Sequence, residues 1–284
     1  MARGIAILAG IGFVVVLLWS LMWGAIAYVS EPVQPTAEHE FHLHPRDAEL
    51  PSSGLLGRFD NRQLQRGLQV YKEVCAACHG LKYVAFRDLQ DLGYSEPEVK
   101  AIADQWAIET PSVNPETGEA ATRKNTPADH FPSPYPNEVA ARAANNNALP
   151  PDLSLMAKAR HDGSNYIYSL LTGYRNPETY RNAKGEELPR ENRPGQGLHF
   201  NPWFANLNIA MPPPLGSEGQ VTYLDGTRPT VEQMSRDVSA FLMWTAEPRM
   251  ETRRLAGIAS LIFIAIFCFL AWGAYRNVWH GTAH

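Results

Sequence analysis

Cysteine is scarce in this sequence, with three residues among 284. Cys268 lies within a long apolar run, so we expect no structural disulfide. Cys75 and Cys78 stand close together, but no second Cys/His pair follows at the spacing of a zinc site. A thioredoxin-like dithiol would need a surrounding βαβ pattern, which the sequence also lacks. These absences argue against the disulfide, zinc and dithiol roles of cysteine.

Strand signals are few, internal repeats are absent, and charge is nearly missing from both ends of the chain. All 29 acidic residues and 23 of the 25 basic ones lie between residues 30 and 254, so this central part carries a net charge of −6. Such a charge does not suit a nucleic-acid partner. It suits a basic protein that is steered toward an acidic surface by long-range attraction.

The most informative motif is Cys75-Ala76-Ala77-Cys78-His79, because this spacing is typical of c-type haem attachment. Each thiol can form a thioether with one vinyl group of the same porphyrin, and His79 is placed to give an imidazole nitrogen to the iron. A covalently held haem with a protein ligand favours electron transfer as the function. We therefore predict one haem c, bound through Cys75 and Cys78.

An uncharged run of 21 residues occupies positions 255–275. As a helix it would reach about 31 Å, which matches a hydrocarbon core of about 30 Å. Trp272, Tyr275 and Trp279 lie near its end, as aromatic residues do at a membrane interface. The run predicts a transmembrane helix over residues 251–278 rather than a buried helix of a soluble protein.

A second apolar run covers residues 4–29 and is preceded by Arg3. Its length exceeds that of a usual signal-peptide core, about 7–15 residues, and favours a retained anchor. Ala25-Ile26-Ala27 resembles a signal-peptidase cleavage site and favours removal. Both alternatives stay open, and in both the segment carries the residues that follow across a membrane.

Local signals between the two apolar runs predict a mostly α-helical domain with long loops. Asp60 is a candidate N-cap for a helix that carries Cys75 on its buried face and ends near Gly80. A Ser95–Glu98 capping box predicts a helix that carries Val99, Ile102 and Trp106 on one face. Further helices are predicted over residues 137–144, from an Asp152 cap to Arg160, over residues 165–171, and from a Thr230 cap to just before Pro248. Residues 109–136 and 175–200 are predicted as loops.

Residues 30–53 are rich in proline and predict an extended lead-in to this domain. His39, His42 and His44 lie close together there, and for them we favour a solvated polar loop over a metal site. The predicted organisation is a signal peptide or anchor over 1–29, the lead-in over 30–53, a haem domain over 54–250, a transmembrane helix over 251–278 and a short cytoplasmic tail over 279–284.

A low-spin haem that transfers electrons needs a second axial ligand, and the candidates are Met156, Met211, Met234, Met243 and Met250. Met234 and Met243 fit a helix core, Met156 lies in a predicted helix, and Met250 is too near the membrane. Met211 precedes three prolines, which stiffen its loop and remove backbone N–H groups. We predict that Met211 binds the iron opposite His79, a pair that raises the reduction potential and leaves no open coordination position.

The charges around the C-terminal run conflict with the expected orientation. Arg249, Arg253 and Arg254 precede the run and Arg276 follows it. The positive-inside rule would therefore place the tail outside. We nevertheless predict a haem domain on the periplasmic side of a bacterial inner membrane, because c-type haem is attached outside and the N-terminal segment carries the domain across.

An ordered series of short motifs runs through the central part of the chain. Its members are Gly57-Arg58-Phe59-Asp60, Arg66-Gly67, Gln69-Val70-Tyr71, the CAACHG block (residues 75–80), Tyr135-Pro136-Asn137, residues 141–146, 148–154, 159–161 and 169–174, the Met211 loop (residues 208–214), and residues 237–248. This series resembles the cytochrome c1 family, the haem subunits of ubiquinol–cytochrome c oxidoreductases (bc1 complexes). The resemblance covers most of residues 54–254 and the C-terminal run, and it implies a cytochrome c-like haem domain.

The resemblance also implies roles for individual residues. A proline carbonyl next to Asp152 would accept the ring N–H of His79 and fix its tautomer. Arg160 would bind a haem propionate, for which a fixed cation with several donors is suited, and Met211 falls where the family's axial methionine falls. The other implied haem-pocket residues are Asn145, Pro150, Pro151, Tyr166, Leu170, Leu171, Phe204, Ile209 and Pro214.

By resemblance, electrons arrive from a Rieske-type iron–sulfur protein and leave to a cytochrome c, beside cytochrome b in a dimeric membrane complex. The −6 charge is consistent with the acidic docking surface of this family. One alternative is an anchored cytochrome c of another complex, such as a terminal oxidase. Another is a haem-based gas sensor or peroxidase, which would need an open position on the iron.

Overall fold

The computed structural model describes residues 2–30 and 36–281, which belong to two compact units, residues 1–41 and 42–284. The first unit contains α1 (Ala2–Ser30), which is apolar and long enough to cross a membrane, and the short α2 (Ala37–Phe41). Residues 31–35 of the predicted lead-in and 282–284 of the predicted tail lie outside the described residues.

The second unit is mostly helical, as predicted. Its helices are α3 (Asn61–Val70), α4 (Glu96–Asp104), α5 (Glu138–Ala144), α6 (Met156–Ala159), α7 (Gly163–Leu171), α8 (Val231–Ala246) and α9 (Met250–Val278), with a π-helical turn over Tyr71–Cys75 and 3₁₀ turns over Phe86–Leu92 and Arg190–Asn192. Four short strands form two antiparallel ribbons, β1 (Thr110–Val113) with β2 (Ala120–Arg123), and β3 (His199–Phe200) with β4 (Asn208–Ile209).

The core is built around the crossing of α3 and α8. Asp60 caps α3 as predicted, because its side chain accepts a hydrogen bond from the backbone N–H of Arg62. Gly67 lies at the crossing, where an added Cβ would come within 2.1 Å of the Asp237 carbonyl oxygen and 2.6 Å of the Phe241 Cβ. Only glycine therefore allows the two backbones to approach this closely.

The helix that carries the attachment motif ends earlier than predicted. The α-helical part stops at Val70, and residues 71–75 form one wider π turn, closed by a 2.8 Å bond from the Ala76 N–H to the Tyr71 carbonyl. The N–H groups of Cys78 and His79 then turn back to the Cys75 carbonyl at 3.1 and 2.9 Å. The prediction of a helix to Gly80 was wrong, since this turn replaces the last helical turns.

The predicted capping box at Ser95 is confirmed, because the Ser95 N–H donates to the Glu98 carboxylate at 2.7 Å. The helix ends at Asp104, however, so Trp106 lies beyond it. Trp106 is buried in an aromatic cluster with Tyr71, Phe86 and Phe131. Its apolar periodicity therefore reflects burial in this cluster rather than a longer helix.

Three further helix predictions are confirmed, with small shifts at the ends. Asn137 caps α5 through a bond from the Ala140 N–H, and Thr230 caps α8 through a bond from the Gln233 N–H. Helix α8 ends at Ala246, before Pro248, and α7 begins at Gly163, two residues earlier than predicted.

The region 109–136 was predicted as a loop but contains the β1–β2 hairpin. Thr110 pairs with Arg123, and the connection turns through Gly118, whose φ is +75°. The strands are short, polar and largely exposed, so no clear apolar alternation marks them in the sequence. The predicted irregular stretch 175–200 likewise ends in β3, which pairs with β4 in the Met211 loop.

Residues 42–53 of the predicted lead-in belong to the second unit. The Leu43 N–H donates to the Pro202 carbonyl at 2.8 Å, and the indole N–H of Trp203 donates to the His44 carbonyl at 3.1 Å. Among the described residues, no group of three or more His, Cys, Asp and Glu side chains is arranged to hold a metal ion.

Candidate haem-binding site

The attachment motif follows the π turn and presents two thiols. Cys75 and Cys78 are both half-buried and free. Burial, together with the neighbouring Cys78, raises the pKa of Cys75 to about 12. The Cys75 thiol is therefore protonated near neutral pH.

The ring of His79 is held in one tautomer by the backbone. Its Nδ1 lies 2.7 Å from the Pro151 carbonyl oxygen. Because a carbonyl only accepts, Nδ1 carries the hydrogen and Nε2 keeps a free lone pair. Burial lowers the pKa of His79, against the opposing effects of Pro151 and Asp152, so the ring is neutral and suited to bind a metal.

The backbone of His79 is fixed from the core side. The hydroxyl of Tyr71, a fully buried residue of the π turn, donates to the His79 carbonyl at 2.8 Å. Tyr71 was not predicted as a site residue. It belongs to the motif Gln69-Val70-Tyr71, but no local sequence pattern indicates that its hydroxyl reaches His79.

Asp152 connects the segment that carries Pro151 to the segment after His79. Its carboxylate accepts from the backbone N–H of Lys82 at 2.9 Å and of Ser154 at 3.0 Å. The Leu153 N–H donates to the Gly80 carbonyl at 2.9 Å. The prediction that Asp152 caps a helix was wrong: α6 begins at Met156, and the carboxylate is used to hold these two segments together.

Met211 follows β4 and is half-buried. The hydroxyl of Tyr174 donates to the Met211 carbonyl at 3.0 Å. This bond holds the backbone of Met211 to the segment that follows α7. Further along the loop, the Gln220 side chain donates to the Pro214 carbonyl at 2.8 Å. The loop is therefore restrained on both sides by side chains, in addition to its prolines.

Arg160, Tyr166 and Tyr174 form a chain of neighbours that leads to Met211. Burial raises the pKa of Tyr166, and Arg160 opposes this shift through its charge and a hydrogen bond. Burial also raises the pKa of Tyr174, and the nearby Tyr166 adds to the increase. Arg160 is exposed, so its guanidinium is available to an anionic group beside these hydroxyls.

The remaining predicted residues occupy half-buried positions. Asn145 is half-buried, and its amide donates to the Tyr135 hydroxyl at 3.0 Å and the Ala141 carbonyl at 2.7 Å. Pro150 and Cys78 line a cleft of about 280 Å³ that Tyr135 also borders. Half-buried positions are also occupied by Leu170, Leu171, Phe204, Ile209 and Pro214.

This set of residues fits a haem c. It offers two free thiols, an imidazole with a free Nε2, a thioether, an exposed guanidinium and half-buried apolar side chains. The structure brings the residues together in two groups, His79 with Pro151 and Asp152, and Arg160 with Tyr166, Tyr174 and Met211.

Comparison with known proteins gives consistent matches. Residues 50–282 match the Cytochrome C1 family. The chain is 43% identical over 247 residues to cytochrome c1 of Rhodospirillum rubrum, which covers 85% of this chain and 89% of that protein. It is 44% identical over 255 residues to the mitochondrial haem protein cytochrome c1-2 of Solanum tuberosum, covering 90% and 92%.

A third relative is longer than this chain. The chain is 41% identical over 290 residues to cytochrome b/c1 of Bradyrhizobium diazoefficiens, an alignment that covers 98% of this chain and 41% of that protein. With a family match over most of its residues and relatives aligned over nearly their whole length, the chain belongs to the cytochrome c1 family.

Proposed function

We propose that this chain relays single electrons through one haem c inside a bc1-type complex, from a Rieske-type iron–sulfur protein to a cytochrome c. The observation that carries the proposal is the 2.7 Å contact between His79 Nδ1 and the Pro151 carbonyl, because it leaves the Nε2 lone pair free to bind a metal. Family membership supports the electron-transfer role and the covalent haem. It does not favour a cytochrome of another complex.

Each site residue has a defined part in this function. Cys75 and Cys78 would hold the porphyrin through thioethers, and His79 and Met211 would bind the iron. The haem, when bound, supplies a one-electron redox couple. If His79 and Met211 both bind the iron, no coordination position is left for a substrate, and the site would serve electron transfer alone. This arrangement argues against a gas sensor or peroxidase.

The surroundings tune and orient the group. Arg160, beside Tyr166, binds a propionate through charge-assisted hydrogen bonds. The apolar residues Leu170, Leu171, Phe204, Ile209 and Pro214 exclude water, while Asn145, Pro150 and Pro151 support the His79 side of the pocket. Lower solvent access and thioether ligation both favour a raised reduction potential.

The partners and the location follow from the anchors and the charge. We assign cytochrome b as a neighbour in a dimeric complex, and the relative named cytochrome b/c1 supports this assignment. The net charge of −6 supports a basic cytochrome c as acceptor. We place the haem domain on the periplasmic side of a bacterial inner membrane.

Two of the arginines that conflict with this orientation are engaged by the protein itself. Arg253 pairs with Glu247, and Arg254 donates to backbone carbonyls of Ser52 and Gly57. Their positions before the span therefore have a structural reason, which weakens the positive-inside argument. Whether α1 is retained as a second anchor or removed as a signal is tested by N-terminal sequencing of the mature chain.

The ligand assignment is tested by Met211→Leu in the holoprotein. We expect a clear fall in reduction potential and binding of carbon monoxide to the reduced form, because the iron gains an open position. Met243→Leu, at a core position on α8, is the matched control and should change neither property. An unchanged spectrum and potential in the Met211→Leu protein would show that Met211 does not bind the iron.

Co-purification with cytochrome b and an iron–sulfur protein distinguishes a subunit of a bc1 complex from a cytochrome of a terminal oxidase.

A further inference from the structure

Residues 51–58 form a closed loop that leads into α3 and places two leucines at its tip. The Arg58 N–H donates to the Pro51 carbonyl at 3.0 Å and closes the loop. Gly54 has a φ of +75°, and a Cβ at Gly57 would come within 2.1 Å of a backbone oxygen of the same loop. These features make the loop a tight turn, in which no larger residue fits at Gly57.

Arg254 ties this loop to the start of the membrane helix. Its Nη1 donates to the carbonyl of Ser52 at 2.9 Å and to that of Gly57 at 3.3 Å. The Phe59 N–H donates to the Glu251 carboxylate at 2.7 Å. Arg254 directly precedes the apolar run 255–275. Loop 51–58 therefore contacts α9 at the point where the apolar part of this helix begins.

The tip of the loop is apolar, and two arginines lie at the end of the loop and next to the start of α9 in the chain. Leu55 and Leu56 are 68% and 75% exposed. Arg58 ends the loop and Arg249 directly precedes α9; both are exposed, and neither has an ion-pair partner in the part of the chain that the structure describes. Apolar side chains beside cations match the boundary between acyl chains and anionic headgroups.

We propose that loop 51–58 inserts Leu55 and Leu56 into the lipid interface, while Arg58 and Arg249 bind headgroup phosphates. The inference rests on the proposed membrane span of α9. It gives the haem domain a second attachment to the bilayer, held to the first by Arg254. Insertion of the loop would limit the tilt of the domain relative to the bilayer.

The test uses spin labels on the full-length holoprotein in vesicles of phosphatidylcholine and phosphatidylglycerol. Haem thioethers occupy Cys75 and Cys78, so a Leu55→Cys, Cys268→Ser variant is labelled at position 55. Collisions with oxygen, which concentrates in lipid, are compared with collisions with a water-soluble nickel chelate. We expect oxygen access to dominate at position 55. A label at Val139, an exposed position on α5, introduced in the same Cys268→Ser background, should show dominant nickel access.

Labelling native Cys268 reports the insertion of α9 independently. If Cys268 is in lipid but position 55 is open to nickel, loop insertion is overturned while the anchor stands. Poor access of both reagents at position 55 also overturns the inference, because another protein surface then covers the loop. A Cys268 label exposed to water would contradict the span itself, and the inference with it.

Discussion

The hydroxyl of Tyr174 donates a 3.0 Å hydrogen bond to the backbone carbonyl of Met211, 37 residues further along the chain. This bond joins the end of α7 to the loop of the proposed axial ligand. The other proposed ligand is held in a similar way, because the Pro151 carbonyl accepts a hydrogen bond from Nδ1 of His79. Both proposed iron ligands therefore depend on hydrogen bonds from segments distant in sequence.

Tyr174→Phe should loosen the Met211 loop without removing the ligand. The lost hydrogen bond contributes about 1 kcal/mol, so we expect the reduction potential to fall by less than about 60 mV, the one-electron equivalent of a tenfold change. Slow carbon monoxide binding to the reduced protein should appear. Tyr168→Phe, on α7, is the control. An unchanged potential in Tyr174→Phe would show that Met211 does not depend on this hydrogen bond for its position.

Asp152→Ala should destabilise the protein, because it leaves the N–H groups of Lys82 and Ser154 without their acceptor. We expect a loss of about 2 kcal/mol in the free energy of unfolding, measured by denaturant titration in detergent. Asp152→Asn keeps one acceptor oxygen and should lose less. Equal effects of the two substitutions would contradict a role based on two accepted hydrogen bonds.

Gly67→Ala should be poorly tolerated, because the new methyl group would overlap the Asp237 carbonyl at the crossing of α3 and α8. We expect the free energy of unfolding to fall by about 1–3 kcal/mol, which would be seen as a lower midpoint in thermal unfolding. Gly216→Ala, where the added Cβ meets no atom within 4 Å, is the matched control. Similar midpoints for the two variants would argue that the helices separate at little cost.

Acid should weaken the contact between Arg66 and Asp225. Hydrogen bonds from the Thr227 backbone and from Arg66 lower the pKa of Asp225 from 3.8 to about 2. As the pH falls, the unfolded chain takes up this proton first, so the contribution to stability is full above pH 3.8 and is lost toward pH 2. Asp225→Asn should flatten the decline of unfolding free energy in this range, while Asp91→Asn, at an exposed position, serves as control. A slope unchanged by Asp225→Asn would rule out this carboxylate as a source of acid sensitivity.

Several features of the chain were determined by short stretches of sequence. The two apolar runs became α1 and α9, and Asp60, Ser95, Asn137 and Thr230 all begin helices as expected, because a cap needs only its own first turn. The haem attachment motif and the stiff Met211 loop are likewise predicted from residue type and spacing. Each of these features depends on a few residues that are neighbours in the sequence.

Other features were decided by the tertiary structure alone. No local sequence signal marks the π turn that ends at Cys75 or the β1–β2 hairpin. The same is true of the hydrogen bonds that Asp152 accepts from Lys82 and Ser154, and of the bond from Tyr174 to Met211. Each depends on which backbone groups are brought within hydrogen-bonding distance when the core packs. Because a polar side chain bonds to whichever partner packing leaves beside it, its role is fixed only once distant segments have met.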